Sequence, residues 1–367
     1  MNKVLCVFGT RPEAIKMAPV VMALRACDKI EPVVCVTAQH RDMLDQVLEV
    51  FDIKPDYDLN IMKEKQTLGY VTTRVLERMD DVLKKEDPDL VLVHGDTTTA
   101  MATSLAAFYN NIRIGHVEAG FRTYDKRSPF PEEVNRQFID RIADYLFAPT
   151  EGCKNNVVNE QLNSGQRVIV TGNTVIDALK TTVSSDYVSR DLDWIGDSRL
   201  ILVTVHRRES FGRPMGRIMK AIRMIVDEFS DVKVIFPMHL NPEARMAAKA
   251  GLSGHERIKL VEPLDVVDFH NYMNRAYFIM SDSGGVQEEA PSLDKPVIVL
   301  REKTERIEGV EAGALKVVGT LTENIYRESK ALLDNKDIYD KMAKVKNPYG
   351  DGFASDRIVD FILKNLS

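Results

Sequence analysis

The sequence predicts an α/β protein made of two doubly wound domains. Four observations carry this prediction. Short apolar runs alternate with longer stretches of helical period. The alternation lapses near residue 180 and then restarts. The 367 residues are too many for one ordinary hydrophobic core and suit two. The runs are also nearly continuous in apolar character, which is the mark of parallel strands covered by helices on both faces.

In the first half the runs are VLCVF (4–8), PVVCVT (32–37), LVLVH (90–94), IRIGHV (112–117), YLFAPT (145–150) and RVIVTG (167–172). Amphipathic stretches such as EAIKMAPVVMALRA and MLDQVLEVF separate them. Residues 180–198, KTTVSSDYVSRDLDWIGDS, are polar and hold the only Trp. The alternation resumes with LILVTVH (200–206), VKVIFP (232–237), IKLVEP (258–263), YFIMSDSG (277–284) and PVIVLRE (296–302). The expected division is 1–172 and 173–353, with a hinge in 172–198 and a cleft between the domains. The final helix, about 354–367, follows the Gly-rich turn NPYGDG and could return to the first domain. Ligands of such sheets bind beyond the carboxyl ends of strands.

Composition narrows the function. The net charge of −6 argues against nonspecific binding to nucleic acid or an anionic membrane, while leaving room for a local basic pocket. No stretch reaches the roughly 18 apolar residues that span a bilayer. The run Val4–Phe8 is too short for a signal-peptide core. Cys6, Cys27, Cys35 and Cys153 form no CxxC pair, which favours free thiols in a reduced, cytoplasmic setting. The seven histidines show no HxxxH or HExxH spacing, so no metal site is expected. Neither GxGxxG nor GxxxxGK[ST] occurs, so no nicotinamide cofactor or P-loop nucleotide chemistry is expected.

Four strand ends carry unusual residues. FGTRPEAIK (8–16) offers a tight turn at Gly9, Pro12 in a first helical turn, and Arg11 with Lys16, which suit an anion or pair with nearby acids. In VHGDTTTAMA (93–102), Asp96 either caps the next helix or acts in catalysis. VTVHRRESFG (203–212) sets His206, Arg207, Arg208 and Glu209 after a strand. In SDSGGVQEEAPSL (281–293), Ser283, Gly284 and Gly285 open a short helix, and small residues there let a backbone approach phosphate. Two acids on that helix, Glu288 and Glu289, are expected to contribute little to packing and so to serve a ligand. Gln39 and His40 in TAQHRDML, and His239 in FPMHLNP, also follow strands. The segment HVEAGFRTYDKRSPFPEEVNRQ (116–137) concentrates Glu118, Asp125, Glu132 and Glu133.

Taken in order, GTRPEAIKMAP, TAQHRDMLDQ, HGDTTT, GHVEAG with RTYD, SPFPEEVNRQ, TGNTVIDAL, HRRESFG, HLNP, SDSGGVQEEAPSL and NPYGDG resemble the bacterial non-hydrolysing UDP-N-acetylglucosamine 2-epimerases. They run from residue 9 to 352. The resemblance implies two Rossmann-like domains of the glycosyltransferase-B type and interconversion of UDP-N-acetylglucosamine with UDP-N-acetylmannosamine without cofactor or metal. It implies Asp96, Glu118 and Glu132 as catalytic carboxylates, with His206 serving both catalysis and UDP. Arg11, Ser283, Gly284, Gly285 and Glu289 match UDP-binding positions, and Lys16 the substrate region. Gln39, Arg207 and His239 match positions for a second UDP-N-acetylglucosamine acting as allosteric activator. A homodimer and a role in surface polysaccharide synthesis are implied too. The chain departs from the family at Phe130, often Trp, and at Lys303, Ile307 and Gly309, often Thr, Pro and Ala, so the 301–310 loop is expected to differ.

The chemistry explains the cluster of acids. The hydrogen at C2 of the sugar is not acidic. Anti elimination of UDP makes it removable, leaving a glycal, and re-addition with a proton on the other face inverts C2. That requires a base, an acid and stabilisation of the anomeric centre, roles that carboxylates fill once their surroundings tune them. Asp125 and Glu133 are expected to hold the loop through Arg122, Arg127 or Arg136. Rival readings are a 2-epimerase for a modified UDP-amino sugar, a glycosyltransferase of the same fold, and a nucleotide-sugar sensor without turnover.

Overall fold

A computed structural model describes residues 1–161, 163–207 and 210–366. Arg208 and Glu209 of the HRRESFG motif lie outside the described residues. The chain forms two compact units, Met1–Thr181 with Tyr349–Ser367, and Thr182–Pro348.

Among the described residues the first unit holds a seven-stranded sheet. Its strands are β1 (Asn2–Phe8), β2 (Ile30–Val36), β3 (Tyr57–Asp58), β4 (Leu90–His94), β5 (Arg113–Val117), β6 (Tyr145–Ala148) and β7 (Arg167–Val170). All pair in parallel, in the order β3-β2-β1-β4-β5-β6-β7. The order reverses between β1 and β4, which is where such sheets open a crevice at their carboxyl edge. Cys6 lies opposite Leu92 and His94 opposite Val117, so β1, β4 and β5 end side by side. Leu5, Val7, Val91 and Val93 are buried in one core with Val71, Val75 and Met79 of the helix Leu68–Glu86. Each such side chain stabilises the fold by roughly 1.5–3 kcal/mol.

Two features hold the carboxyl edge. A Cβ at Gly9 would sit 1.9 Å from Thr37 Oγ1, so only glycine lets the turn after β1 lie against the end of β2. Glu13 Oε2 accepts from the Gly9 and Thr10 amides, and Oε1 accepts from Thr97 Oγ1 at 2.6 Å, tying the β1 turn to the β4 turn. The helix Ala354–Asn365 belongs to this unit. Asp177 accepts from its first amides, Ala354 and Ser355, at 3.2 and 2.8 Å. Phe361 meets the rings of Tyr145 and Phe147 edge-on, at 5.3 and 5.6 Å.

The second unit holds a six-stranded parallel sheet among the described residues. Its strands are β8 (Arg199–Thr204), β9 (Val232–Pro237), β10 (Ile258–Val261), β11 (Phe278–Ser281), β12 (Val297–Val299) and β13 (Leu315–Val317). Their order, β10-β9-β8-β11-β12-β13, repeats the winding of the first sheet. Ile201 and Val203 enter one core with Ile218, Ile222 and Ile225 of the helix Arg213–Glu228. Their neighbours Leu200 and Leu202 enter another, with Ile195, Tyr272 and Met273. Burial of both faces is why the strand reads as an unbroken apolar run.

The polar lapse at 180–198 is built into this second unit from Thr182 onward. It contains the helix Arg190–Ile195, with Ile195 wholly buried. The Trp194 ring lies under Lys233 and Lys259, at 4.9 and 5.4 Å. Its polar side chains face partners: Tyr187 bonds Asp268, Ser189 bonds Tyr272 at 2.8 Å, and Asp191 pairs with Lys259 at 2.5 Å.

Candidate active site

In the first unit the candidate side chains stand just beyond the ends of β1, β4 and β5. Arg11 opens the helix Arg11–Arg25, with Lys16 in its second turn. Asp96 follows β4 and is about one-third exposed. Arg136 Nη2 lies 2.6 Å from its Oδ2, and Asn135 Nδ2 bonds its carbonyl at 2.9 Å. Thr97, not Asp96, supplies the side-chain cap of the helix Thr98–Tyr109, so Asp96 is spared the capping role the sequence left open.

Glu118 follows β5 with φ +67, the left-handed region that a residue bearing a Cβ rarely occupies. Holding it there costs on the order of 1–3 kcal/mol, which its side-chain partners offset. Glu118 Oε1 pairs with Lys16 Nζ and accepts from Asn173 Nδ2 at 2.8 Å. Oε2 lies 3.4 Å from His94 Nε2. Glu132 is the first residue of the helix Glu132–Ile142 and is half-buried.

The surrounding loop is built by two other acids. Glu133 is wholly buried and accepts from the Thr123 and Tyr124 amides at 3.0 and 2.9 Å, with Arg136 at 3.6 Å. Asp125 accepts from the Arg127 amide at 3.0 Å. Arg122 does not pair with either. It bonds Asp140 at 2.7 Å and Glu160 at 2.7 and 2.8 Å. The reason is reach: Asp140 is buried behind the loop and also takes the Gly120 amide and His116 Nδ1.

In the second unit, Asp282 at the end of β11 organises the turn after β8. It is wholly buried and accepts from the His206 and Arg207 amides, at 3.1 and 2.9 Å, and from Ser210 Oγ at 2.8 Å. His206 Nδ1 lies 3.4 Å from the same carboxylate. The His206 ring stacks on His239 at 5.8 Å. Burial lowers the His206 pKa and Asp282 opposes that shift. Arg207 Nε bonds the Asp282 carbonyl at 3.0 Å.

Ser283 precedes the helix Gly284–Glu289 and makes no side-chain cap bond. Glu289 folds back so closely that a Cβ on Gly285 would meet its Oε1 at 3.2 Å. His270 Nε2 lies 3.5 Å from Glu289 Oε2. Glu288 corrects an expectation. It is wholly buried and bonds Arg306 at 2.7 and 2.9 Å, so it is a packing ion pair and not a ligand group. That pair, with the Thr304–Gln287 bond of 2.6 Å, anchors the 301–310 loop. These bonds use none of the divergent residues Lys303, Ile307 and Gly309. Gln39 stands in the first unit, its Oε1 accepting from Thr99 Oγ1 at 2.9 Å.

The structure thus brings Lys16 to Glu118 in one unit, and gathers His206, Arg207 and His239 in the other. Sequence reasoning missed Asn173, Asp282 and Glu13, and expected Arg136 only as a support of the loop, not beside Asp96. Glu13 had a readable signal, the capping-box spacing Thr10-x-x-Glu13. Asn173 and Asp282 lay inside motifs already singled out, but nothing local marked their partners.

Two parallel sheets of one winding order, with polar residues collected at strand carboxyl ends, define a two-domain enzyme of the glycosyltransferase-B type. The family model described as UDP-N-acetylglucosamine 2-epimerase matches residues 22–363. A UDP-N-acetylglucosamine 2-epimerase of Bacillus subtilis is 58% identical over 361 residues, covering 98% of this chain and 95% of the relative. The crystal structure of a Listeria monocytogenes protein described as a putative UDP-N-acetylglucosamine 2-epimerase superposes with TM-score 0.93 at 55% identity, covering 98% and 95% of the two chains. The Neisseria meningitidis epimerase, solved bound to UDP-N-acetylglucosamine, superposes with TM-score 0.91 at 48% identity over 99% and 100%. The chain belongs to the UDP-N-acetylglucosamine 2-epimerase family and is an enzyme of that family. No helix among the described residues is long and apolar enough to cross a membrane.

Proposed function

We propose that this epimerase interconverts UDP-N-acetylglucosamine and UDP-N-acetylmannosamine by eliminating UDP and adding it back. The C1–O bond breaks and its electrons leave on the diphosphate. The C2–H electrons form the C1–C2 double bond of a glycal, and a carboxylate takes the proton. Re-addition reverses these steps with the proton delivered to the opposite face. The carrying observation is that Glu118 and Asp96 stand on adjacent strand ends, each beside a cation, Lys16 or Arg136. The neighbouring cation fixes each carboxylate in place at its strand end. Asp96, Glu118 and Glu132 share the proton transfers, worth roughly 10²–10⁴-fold each.

Arg11, Lys16, His206 and the Ser283–Gly285 turn stabilise the departing diphosphate, and Glu289 takes the ribose hydroxyls. The uncapped Ser283 hydroxyl and the Asp282-held His206 support these roles. The protein acts in the cytoplasm as a homodimer, and Gln39, Arg207 and His239 hold a second UDP-N-acetylglucosamine as activator. Sedimentation at twice the chain mass and a sigmoidal rate against substrate are the expected signs.

Proton NMR of the protein with UDP-N-acetylglucosamine in D₂O tests the reaction. The expected result is UDP-N-acetylmannosamine carrying deuterium at C2, with UDP retained. Release of free UDP with N-acetylmannosamine would replace this reading by hydrolysis. Binding without C2 exchange would overturn it.

A further inference from the structure

His94 ends β4 directly behind the proposed proton-transfer carboxylate. It is 4% exposed, and its Nε2 is fully buried with no hydrogen bond in this structure. A buried polar nitrogen without a partner is destabilising, so its retention calls for a reason. The atom it faces is Glu118 Oε2, at 3.4 Å and outside hydrogen-bond geometry. The other carboxylate oxygen, Oε1, already takes Lys16 and Asn173.

We infer that His94 is a positioning residue for Glu118, donating from Nε2 to Oε2 during turnover. This rests on the reading that Glu118 transfers a proton at C2. A swing of a few tenths of an ångström converts the 3.4 Å approach into a charge-assisted hydrogen bond. Such a bond favours the carboxylate over the acid. The charged and titratable groups acting on His94 are Glu118, Lys16 and His116. Burial lowers the His94 pKa to about 3, Glu118 opposes that shift, and Lys16 and His116 add to it. The ring is therefore neutral at ordinary pH. It can donate a proton in a hydrogen bond without adding a second cation beside Lys16, and its low basicity keeps it from competing for the substrate proton.

The test compares His94→Phe, which keeps the ring shape and removes the donor, with His94→Gln, whose amide can reach as Nε2 does. The expected result for His94→Phe is a roughly tenfold or greater loss of kcat with KM little changed. The acid limb of its kcat–pH profile moves upward by about one unit, because the carboxylate has lost a donor. His94→Gln restores kcat and the limb to near the wild-type values. An unmoved acid limb in His94→Phe, or a loss that His94→Gln fails to restore, would overturn the inference. ¹³C NMR titration of labelled glutamate, assigned with Glu118→Gln, reads the Glu118 carboxyl without turnover. Its pKa rises in His94→Phe if the inference holds and stays put if it fails. Should His94→Phe not fold, His94→Met carries the same titration. A wild-type protein without C2 exchange would instead remove the epimerase reading, leaving the NMR titration to judge the His94–Glu118 contact alone.

Discussion

At the scale of single residues, Asp140 shows how the loop after β5 is held. It is nearly wholly buried, and burial alone would push its carboxyl up. His116 and Arg122 more than offset this and leave it below the usual carboxylate range. It takes His116 Nδ1 at 2.6 Å, Arg122 at 2.7 Å and the Gly120 amide at 3.1 Å. His116 Nε2 in turn bonds the Gly95 carbonyl at 2.7 Å, so one carboxylate ties the turn after β5 to the turn after β4. Asp140→Asn leaves Arg122 and His116 facing a neutral amide. The expected loss is about 3 kcal/mol of stability, the scale of a broken buried charge pair. Urea unfolding checks it; a loss below about 0.5 kcal/mol, typical of surface changes, would mean that this network does not hold the loop. The proposed site residues were legible in the sequence, since Asp96 and Glu118 follow strands and Lys16 lies in the helix after β1, all inside polar motifs. Their supports were not. Glu118 meets Lys16 and Asn173 across 102 and 55 residues of chain, and periodicity carries no information about such pairs.

At the scale of elements, the turn leaving β5 depends on two left-handed residues, Glu118 at φ +67 and Gly120 at φ +91. A Cβ on Gly120 would also lie 2.2 Å from the Cys153 carbonyl oxygen, on backbone that cannot move aside cheaply. Gly120→Ala should therefore cost roughly 2–4 kcal/mol, combining backbone strain with overpacking. It should also lower kcat by displacing Glu118. Thermal unfolding and the C2-exchange rate measure the two effects; a variant with wild-type stability would show that the turn tolerates another path. The long apolar strands β1, β4, β8 and β9 were readable because both faces are buried. The edge strands β3, two residues, and β13, three residues, were not, since so few residues give no period to detect. The 180–198 segment reads only as polar in sequence; the partners its side chains find from Thr182 onward, along the second unit's helix Val266–Arg275 and the strand β10, carry no local signal.

At the scale of the whole molecule, alternating runs announced two parallel sheets, but their shared winding order is set by which strands pair, and that appears only in the folded chain. Folding also sets how stability depends on pH. His94 has its pKa lowered by burial to about 3, against an ordinary value of 6.5. Below pH 6.5 the unfolded chain gains a proton that the folded chain refuses, so this group's contribution is lost as pH falls, at about 1.4 kcal/mol per pH unit. Glu13 has the opposite sign. Burial raises its carboxyl to about 7, against donors from Thr97, Gly9 and Thr10 that pull it down. The folded chain therefore takes up that proton first, and Glu13 adds stability as pH falls from 7 to 4.5. Between pH 6.5 and 4.5 the two slopes nearly cancel. Replacing His94 by Gln removes one of them. The variant should then gain stability relative to the wild type by roughly 3 kcal/mol on going from pH 6.5 to 4.5. Hydrogen-exchange protection of the β4 amides, corrected for the intrinsic rate at each pH, reads this difference in the unit where both groups lie. Parallel pH dependences in the two proteins would mean that His94 is protonated in the fold, and would remove the neutral donor from behind Glu118 as well.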